Sequence, residues 1–224
     1  DADIDNLDDG MIGGMNFNWS GQSCGSTSRV FLHESIYDVV LDQVVAKLPE
    51  RHVPGIPTDP KTTMGALVSQ AQLDKVQGFV DSALSQGARL VAGGKRPADP
   101  ALKDGFFYEP TVFADVTPDM RLAREEVFGP ILSVFRWSDE DKLFDIANGV
   151  DFGLTGSIWT RDVNRAIRAA RRIQAGYVWI NNTGQHFLGA AFGGVKHSGI
   201  GREECFSEML EFTYTKNVNV RLWP

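Results

Sequence analysis

The second half of the chain alternates between apolar runs and segments whose apolar residues recur at helical spacing. Apolar runs at 131–137, 154–160 and 177–181 predict buried β-strands. Between them, 138–148 and 162–174 carry apolar residues three and four positions apart, which predicts helices. Strands that alternate with helices form βαβ units, whose parallel strands are covered on both faces. We therefore predict an α/β fold of three layers, a largely parallel sheet flanked by helices.

The first half adds further elements to this plan. Leu7, Met11, Met15 and Trp19 recur at every fourth position and predict an amphipathic helix that ends near Gly21. The same reasoning predicts a buried strand at 30–32, a helix from Ser35 to a stop at Pro49, a helix from Ser69 to Gly87, and a strand at 90–92. These elements supply more apolar surface for the core of the sheet.

The end of the chain follows a different pattern. Residues 203–212 predict a short helix, in which Cys205 takes a structural, mid-helix position. Apolar and polar residues alternate over 218–222, which predicts a strand with one apolar face. A terminal strand of this kind often completes a sheet in another domain or subunit. We therefore divide the chain into a thiol-bearing domain at 1–202 and a C-terminal helix and β arm at 203–224.

Composition narrows the class of protein. With 224 residues, 42% of them apolar and 23% charged, the chain has the make-up of an ordinary soluble globular protein. A net charge of −7 argues against a nucleic-acid surface, which needs a basic face. No apolar run approaches the ~20 residues of a membrane span, and the acidic N-terminus lacks a signal-peptide core. The two cysteines lie far apart, so we expect reduced thiols and a cytoplasmic setting.

Cys24 is the first candidate for chemistry. Its neighbours Ser20, Gly21, Ser23 and Gly25 are small, and they leave both the thiol and the backbone N–H uncovered. A thiolate is strongly nucleophilic and leaves well, so it suits attack on a carbonyl carbon. The N–H of Cys24 is a plausible donor to the resulting oxyanion. The competing interpretation is that a lone cysteine is a small buried apolar residue.

Two later segments are also candidates. Glu125–Pro130 reads Glu-Glu-Val-Phe-Gly-Pro, which offers a carboxylate for ribose hydroxyls and a ring that can press on a nicotinamide. A simple turn ahead of a strand, with Phe128 packed inside, explains the same residues. The segment 181–201 is dense in glycine and longer than a usual connection, which hints at function, although a connecting loop explains it too.

These segments carry a family resemblance. Gly21–Cys24, Glu125–Pro130 and Phe192–Glu203 occur here in the order of the aldehyde dehydrogenase superfamily. The chain resembles the catalytic domain of those enzymes, followed by their C-terminal oligomerisation arm. The pattern departs at Trp19, where the family often has asparagine, and at Ala191, where proline is frequent.

The resemblance implies roles for individual residues. Cys24 matches the attacking thiol, which passes through a thiohemiacetal and a thioester as an aldehyde is oxidised to a carboxylic acid. Glu126 and Phe128 match the residues that hold the ribose and the nicotinamide of NAD or NADP. Gln72 and Lys75 occupy positions similar to secondary ribose contacts, although a solvated helix face explains them equally well.

The resemblance also suggests a substrate path. Residues of mixed polarity would border a tunnel for an aromatic or medium-sized aldehyde: Phe17, Asn18, Trp19, His186 and Phe187. His186 has a simpler explanation as a solvent-exposed side chain.

Part of the family pattern is not found in these residues. No strand, Gly-rich turn and helix follow one another as a dinucleotide fingerprint requires, and the family's Glu-Leu-Gly-Gly-Lys segment with the general base is absent. We therefore expect a fragment without its nucleotide-binding half, inactive alone, from a homo-oligomeric enzyme that binds neither membrane nor nucleic acid. The alternatives are a noncatalytic scaffold or oligomerisation module of the same fold, and a cysteine hydrolase, for which no histidine is placed beside Cys24.

Overall fold

The computed structural model describes residues 1–223, in which helices and strands follow one another much as the apolar pattern predicts. Over that range the helices are α1 (Ile4–Gly14), α2 (Tyr37–Arg51), α3 (Gln70–Ser85), α4 (Arg121–Arg124), α5 (Glu140–Asn148), α6 (Val163–Arg172) and α7 (Phe206–Glu211). The strands are β1 (Arg29–His33), β2 (Arg89–Ala92), β3 (Thr111–Ala114), β4 (Ile131–Trp137), β5 (Phe152–Gly153), β6 (Thr155–Ile158), β7 (Tyr177–Ile180) and β8 (Val195–Lys196). Short 3₁₀ helices lie at Phe17–Trp19 and Pro100–Leu102.

The strands form a mixed, mostly parallel arrangement, which confirms the predicted α/β fold. The main sheet has the order β1-β4-β3-β2, in which only β2 is antiparallel to its neighbour. β6 and β7 form a parallel pair, and β5 and β8 form an antiparallel one. Within residues 1–223, β6 and β7 share no hydrogen bonds with the main sheet. The alternating pattern did not reveal this division, because strand periodicity carries no information on which strands pair.

The core lies on both faces of the main sheet. Leu132 and Val134 of β4 pack with the helices α1 and α2, whereas Ile131 and Phe135 pack against α3. The first five residues of β4 are all buried, as expected for a parallel strand covered on each side. Packing on both faces of the sheet therefore fixes the position of β4 and of β1, which pairs with it.

The predicted ends of the first two helices were wrong. α1 ends at Gly14 rather than near Gly21, because Asn16 turns the chain into the left-handed region with φ 56°. Asparagine tolerates this conformation better than most residues. α2 continues through Pro49 to Arg51. Proline in the last turn costs one N–H donor, but His52 still closes that turn by donating to the Leu48 carbonyl.

The structure confirms two other local predictions, the cap of α3 and the bounds of β4. The Ser69 hydroxyl accepts a hydrogen bond from the Gln72 N–H at 3.2 Å, which confirms the capping position of α3. β4 has the predicted bounds. No helix among residues 1–223 has both the length and the apolar character needed to span a bilayer.

The C-terminal segment differs from its prediction. α7 begins at Phe206, so Cys205 takes the N-cap position and not the mid-helix place predicted for it. Within the part of the chain that the structure describes, residues 212–223 pair with no strand, and their side chains are exposed. The predicted strand at 218–222 is therefore not formed with any element of this chain.

Candidate active site

We call residues 16–26 the cysteine loop. Three of them hold left-handed backbone conformations: Asn16, Ser20 and Gly21, with φ of 56°, 55° and 66°. Side chains fix these turns, since Asn16 Nδ2 donates to Ser26 Oγ at 3.2 Å and Ser20 Oγ donates to the Gly65 carbonyl at 2.7 Å. Ser26 Oγ in turn donates to the Met15 carbonyl at 3.1 Å. The loop therefore has a defined shape even though it contains little regular structure.

Cys24 lies at the exposed side of this loop as a free thiol. The interpretation of Cys24 as a buried apolar residue is therefore wrong. Among the described residues, neither its N–H nor its sulfur forms a hydrogen bond, and no histidine ring contacts it through one. An exposed sulfur can attack the electrophilic carbon of a carbonyl group. The free N–H beside it can donate to the oxygen that becomes charged.

The hexapeptide Glu125–Pro130 packs directly against the cysteine loop. A Cβ added to Gly21 would lie 2.2 Å from the carbonyl oxygen of Gly129 and 2.9 Å from Met15 Cε. No side chain fits in that space, so glycine is required at position 21 both for this contact and for its positive φ. Two segments a hundred residues apart in sequence thus meet through backbone atoms.

Gln72 of α3 and Val68, which precedes α3, both bond to the same junction. Gln72 Nε2 donates to the carbonyls of Val127 at 3.1 Å and Phe128 at 2.7 Å. The side-chain oxygen of Gln22 accepts from the Val68 N–H at 3.0 Å. The predicted ribose contact at Gln72 remains a prediction, and in this structure its amide group supports the hexapeptide backbone. Sequence reasoning missed this supporting contact, which no local pattern reports.

Lys75 lies one turn further along α3. Its Nζ lies 5.9 Å from the centre of the Phe79 ring, at the exposed surface of the helix. This position is compatible with the solvated helix face that competes with a ribose contact, and the predicted role stays a prediction.

Glu126 and Cys24 line the same cleft, whose volume is about 680 Å³. A second, much smaller cavity of about 20 Å³ lies between the cysteine loop and the hexapeptide, with Ser23, Glu126 and Phe128 in its wall. Phe128 is held at φ 53° with 37% of its surface exposed. Glu126 thus shares the cleft with Cys24, whereas Phe128 lies in the wall of the smaller cavity, and their roles toward a dinucleotide stay predictions. The described residues contain no group of three or more metal-ligating side chains.

Arg29 shows how the base of the loop is stabilised. Its guanidinium donates to the carbonyls of Ile146 at 3.4 Å and Ala147 at 2.8 Å, near the carboxyl end of α5. Burial lowers the pKa of Arg29 to about 10, and the group is still cationic at neutral pH. A cation at this end of a helix is favoured by the helix dipole.

The glycine-rich segment folds back on itself between Phe192 and Glu203. Phe192 and Glu203 pair as an antiparallel bridge, and Arg202 donates to the Gly194 carbonyl at 2.8 Å. A Cβ at Gly193 would lie 2.4 Å from the Gly201 carbonyl oxygen, so the glycines permit the two arms to approach. Close packing of the backbone therefore explains the glycines in this part of the segment.

The residues predicted to border a substrate tunnel do not share one environment. Phe17 is fully buried against His52, so it cannot border a tunnel, and that prediction was wrong. Trp19 is 60% exposed on the other side of the same 3₁₀ turn. His186 is exposed, as its simpler explanation expects, and its Nδ1 lies 2.7 Å from a Glu204 carboxylate oxygen.

Comparison with known proteins identifies the family. The model of the aldehyde dehydrogenase family matches residues 1–218. The chain belongs to the aldehyde dehydrogenase family. It is 54% identical over 225 residues to the aldehyde dehydrogenase tropH of Talaromyces stipitatus, covering 99% of this chain and 44% of that protein. It is 42% identical over 220 residues to a betaine aldehyde dehydrogenase of Mesorhizobium japonicum, covering 98% of this chain and 45% of that one.

Solved aldehyde dehydrogenases share the fold. The betaine aldehyde dehydrogenase of Staphylococcus aureus, solved in complex with NAD+, superposes with a TM-score of 0.89 at 35% identity. That match covers 95% of this chain and 42% of the other. The chain therefore spans less than half the length of the aldehyde dehydrogenases it matches.

Proposed function

We propose that this chain is the catalytic portion of an NAD(P)-dependent aldehyde dehydrogenase, which oxidises an aldehyde to a carboxylic acid through Cys24. The observation that carries the proposal is the exposed Cys24 thiol on a loop that packs against Glu125–Pro130. Family membership and a relative solved with NAD+ support the choice of reaction and cofactor. We use the term intact enzyme for a protein of the relatives' length that contains this chain.

The chemistry at Cys24 follows from its surroundings. The sulfur, as thiolate, adds to the aldehyde carbon, and the carbonyl oxygen becomes an oxyanion that the free Cys24 N–H can bind. Re-formation of the C=O bond breaks the C–H bond of that carbon and leaves a thioester, and NAD(P)+, when bound, would supply the acceptor for the departing hydride. Water then hydrolyses the thioester, which releases the carboxylic acid and returns the thiol. The exposed position of Cys24 leaves room for both the aldehyde and the water.

Glu126 and Phe128 are proposed to hold the nicotinamide end of the cofactor. The Glu126 carboxylate lines the cleft that Cys24 also lines, and it can accept hydrogen bonds from ribose hydroxyls. The ring of Phe128 is partly exposed, and Gln72 fixes the backbone of both Val127 and Phe128 from α3. Gln72 therefore acts as a positioning residue in this proposal, and Lys75 is retained as a secondary ribose contact.

Paired cysteine variants of the intact enzyme test the function. Cys24→Ala should lower aldehyde-dependent NAD(P)H formation by about 10³-fold or more, since the nucleophile of the reaction is lost. Cys205→Ala is the matched control and should retain activity, because Cys205 lies at the start of α7. Absorbance at the reduced-nicotinamide band with NAD+ and with NADP+ is the readout. Similar activity of the two variants would refute the proposal. We expect the 224-residue chain alone to form no NAD(P)H.

We further propose that 203–224 is an oligomerisation arm of the domain at 1–202. Large apolar side chains of this segment are exposed: Phe206, Met209, Leu210, Phe212, Tyr214, Val218, Val220 and Leu222. An exposed apolar surface of this kind usually marks a protein contact. Light scattering on the intact enzyme and on a form ending at residue 212 tests this. An unchanged molar mass per particle, after correction for the deletion, would contradict it.

A further inference from the structure

One face of α3 runs along the hexapeptide and along α4, the short helix that precedes it. Gln72, Phe79 and the capping residue Gln86 follow one another at equal intervals of about two helical turns, so they lie on one side of α3. Gln72 donates to two carbonyls of the hexapeptide. A Cβ added to Gly129 would lie 2.4 Å from Val76 Cγ2, so the same end of α3 also lies against the hexapeptide backbone.

Arg121, the first residue of α4, makes the contacts at the other end of this face. Its guanidinium lies over the ring of the fully buried Phe79, 3.9 Å from the ring centre. Its backbone N–H donates to the side-chain oxygen of Gln86 at 3.0 Å, and its Nε donates to a Glu125 carboxylate oxygen at 3.0 Å. Both side chains of that ion pair are partly exposed, so the pair by itself contributes little. The buried ring and the backbone hydrogen bond provide the firmer attachment to α3.

Glu126 has no comparable partner for its own side chain. Among the described residues, its carboxylate forms no hydrogen bond and no ion pair, and the residue is exposed where it lines the cleft with Cys24. The direction of this side chain therefore depends on the backbone on either side of it. Arg121 anchors Glu125 on the amino side, and Gln72 anchors the next two residues on the carboxyl side.

We propose that Arg121 is a positioning residue for the Glu126 carboxylate in the intact enzyme. By holding α4 and Glu125 on α3, it fixes the amino side of the span that presents Glu126, as Gln72 fixes the carboxyl side. A carboxylate that is already held in place loses less conformational freedom when it accepts hydrogen bonds from ribose hydroxyls. The proposal rests on the proposed contact of Glu126 with the ribose at the nicotinamide end. Arg121 acts through Glu126, since it is not among the described residues that line the cleft.

Arg136 offers a matched control, because it has the same kind of attachment in another part of the molecule. Its guanidinium lies 3.9 Å from the centre of the Tyr37 ring and donates to an Asp38 carboxylate oxygen at 2.8 Å. The side chains of Arg121 and Arg136 are 37% and 41% exposed. A role limited to stability would therefore affect the two arginines alike, whereas a role toward Glu126 belongs to Arg121.

Calorimetric titration of the intact enzyme tests the proposal with wild type, Arg121→Ala, Arg121→Lys and Arg136→Ala. The probes are the oxidised dinucleotide, NAD+ or NADP+, and ADP, which keeps two phosphates but lacks the ribose of the nicotinamide end. Arg121→Ala should raise the Kd for the dinucleotide about fivefold or more and that for ADP less than about twofold. Arg121→Lys keeps a cation near the ring and should recover part of the loss. Arg136→Ala should leave both Kd values unchanged.

A double variant shows whether the effect runs through Glu126. In a Glu126→Ala enzyme, the further change Arg121→Ala should raise the Kd for the dinucleotide less than about twofold, because the carboxylate that Arg121 positions is already gone. A full further loss in the double variant would contradict the proposal. Melting temperatures of all variants, measured on the same samples, show whether each one is folded.

Three results would overturn the positioning role alone. They are an unchanged Kd for the dinucleotide in Arg121→Ala, an equal loss for ADP, which would indicate a general effect of the missing charge, and equal losses in Arg121→Ala and Arg136→Ala. A Glu126→Ala enzyme that binds the dinucleotide as tightly as wild type would instead refute the proposed function of Glu126, and the positioning role with it. The Cys24 variants report on the nucleophile and are not affected by these results.

Discussion

The cysteine loop and the cleft beside it differ in how far contacts from the rest of the chain cover them. The loop is closed by contacts from the hexapeptide and from α3, down to the backbone contact of Gly21 with Gly129. The cleft has apolar faces and two unpaired strand edges that no other described element covers. The comparison teaches that contacts between distant parts of the sequence fix the loop that carries the thiol, whereas the cleft next to it stays open between two sheets.

The largest expected effect on stability is at the contact between loop and hexapeptide. Gly21→Ala forces a side chain onto the Gly129 carbonyl at a positive φ, so we expect a loss of about 2–4 kcal/mol in the free energy of unfolding. Urea unfolding measures this. Gly13→Ala is the matched control, because a Cβ there meets nothing within 4 Å in α1, and it should stabilise the chain by ~0.5–1 kcal/mol. Equal shifts for the two variants would show that the close contact is not formed.

The hydrogen bonds from α3 to the hexapeptide should have a smaller effect. Gln72→Ala leaves the Val127 and Phe128 carbonyls without their donor and should cost about 1–2 kcal/mol. Gln70→Ala on the same helix removes only a bond to the Asp74 carboxylate, and it should change stability by less than ~0.5 kcal/mol. Urea unfolding, with amide exchange in the hexapeptide as a local readout, compares the two. If the Gln70 variant lost as much as the Gln72 variant, the junction would not depend on this contact.

The smallest expected effect lies on the side of the cleft, at the start of α6. The N–H groups of Arg165 and Asn164 donate to the Asp162 carboxylate and hold its pKa below 3.8. A depressed pKa of an acid means that this stabilisation is present above the unfolded pKa and is lost as pH falls through the folded value. Asp162→Asn should keep the cap but lose this acid dependence, whereas Asp162→Ala should lower stability at pH 7 as well. Melting temperatures between pH 2 and 7 check both. An Asn variant that kept the wild-type acid dependence would exclude Asp162 as its source.

The features that the sequence predicts correctly are those that depend on neighbouring residues. The Ser69 cap and the run 131–137 depend on residues close in sequence, and the structure has them as predicted. The contact of Gly21 with Gly129 and the separation of β6 from β1 depend on residues more than a hundred positions apart. No periodicity reports such contacts. The family pattern brought Cys24 and Glu126 to one site, but it could not show that Gln72 supports the hexapeptide.

The proposed role of Cys24 is tested most directly by isolating the covalent intermediate. The intact enzyme is mixed with NAD(P)+ and an aldehyde that it turns over, stopped with acid, and analysed by peptide mass spectrometry. The account predicts an acyl group on the peptide that contains Cys24 and none on the peptide that contains Cys205. An acyl group at Cys205, or active turnover by a Cys24→Ala enzyme, would contradict it.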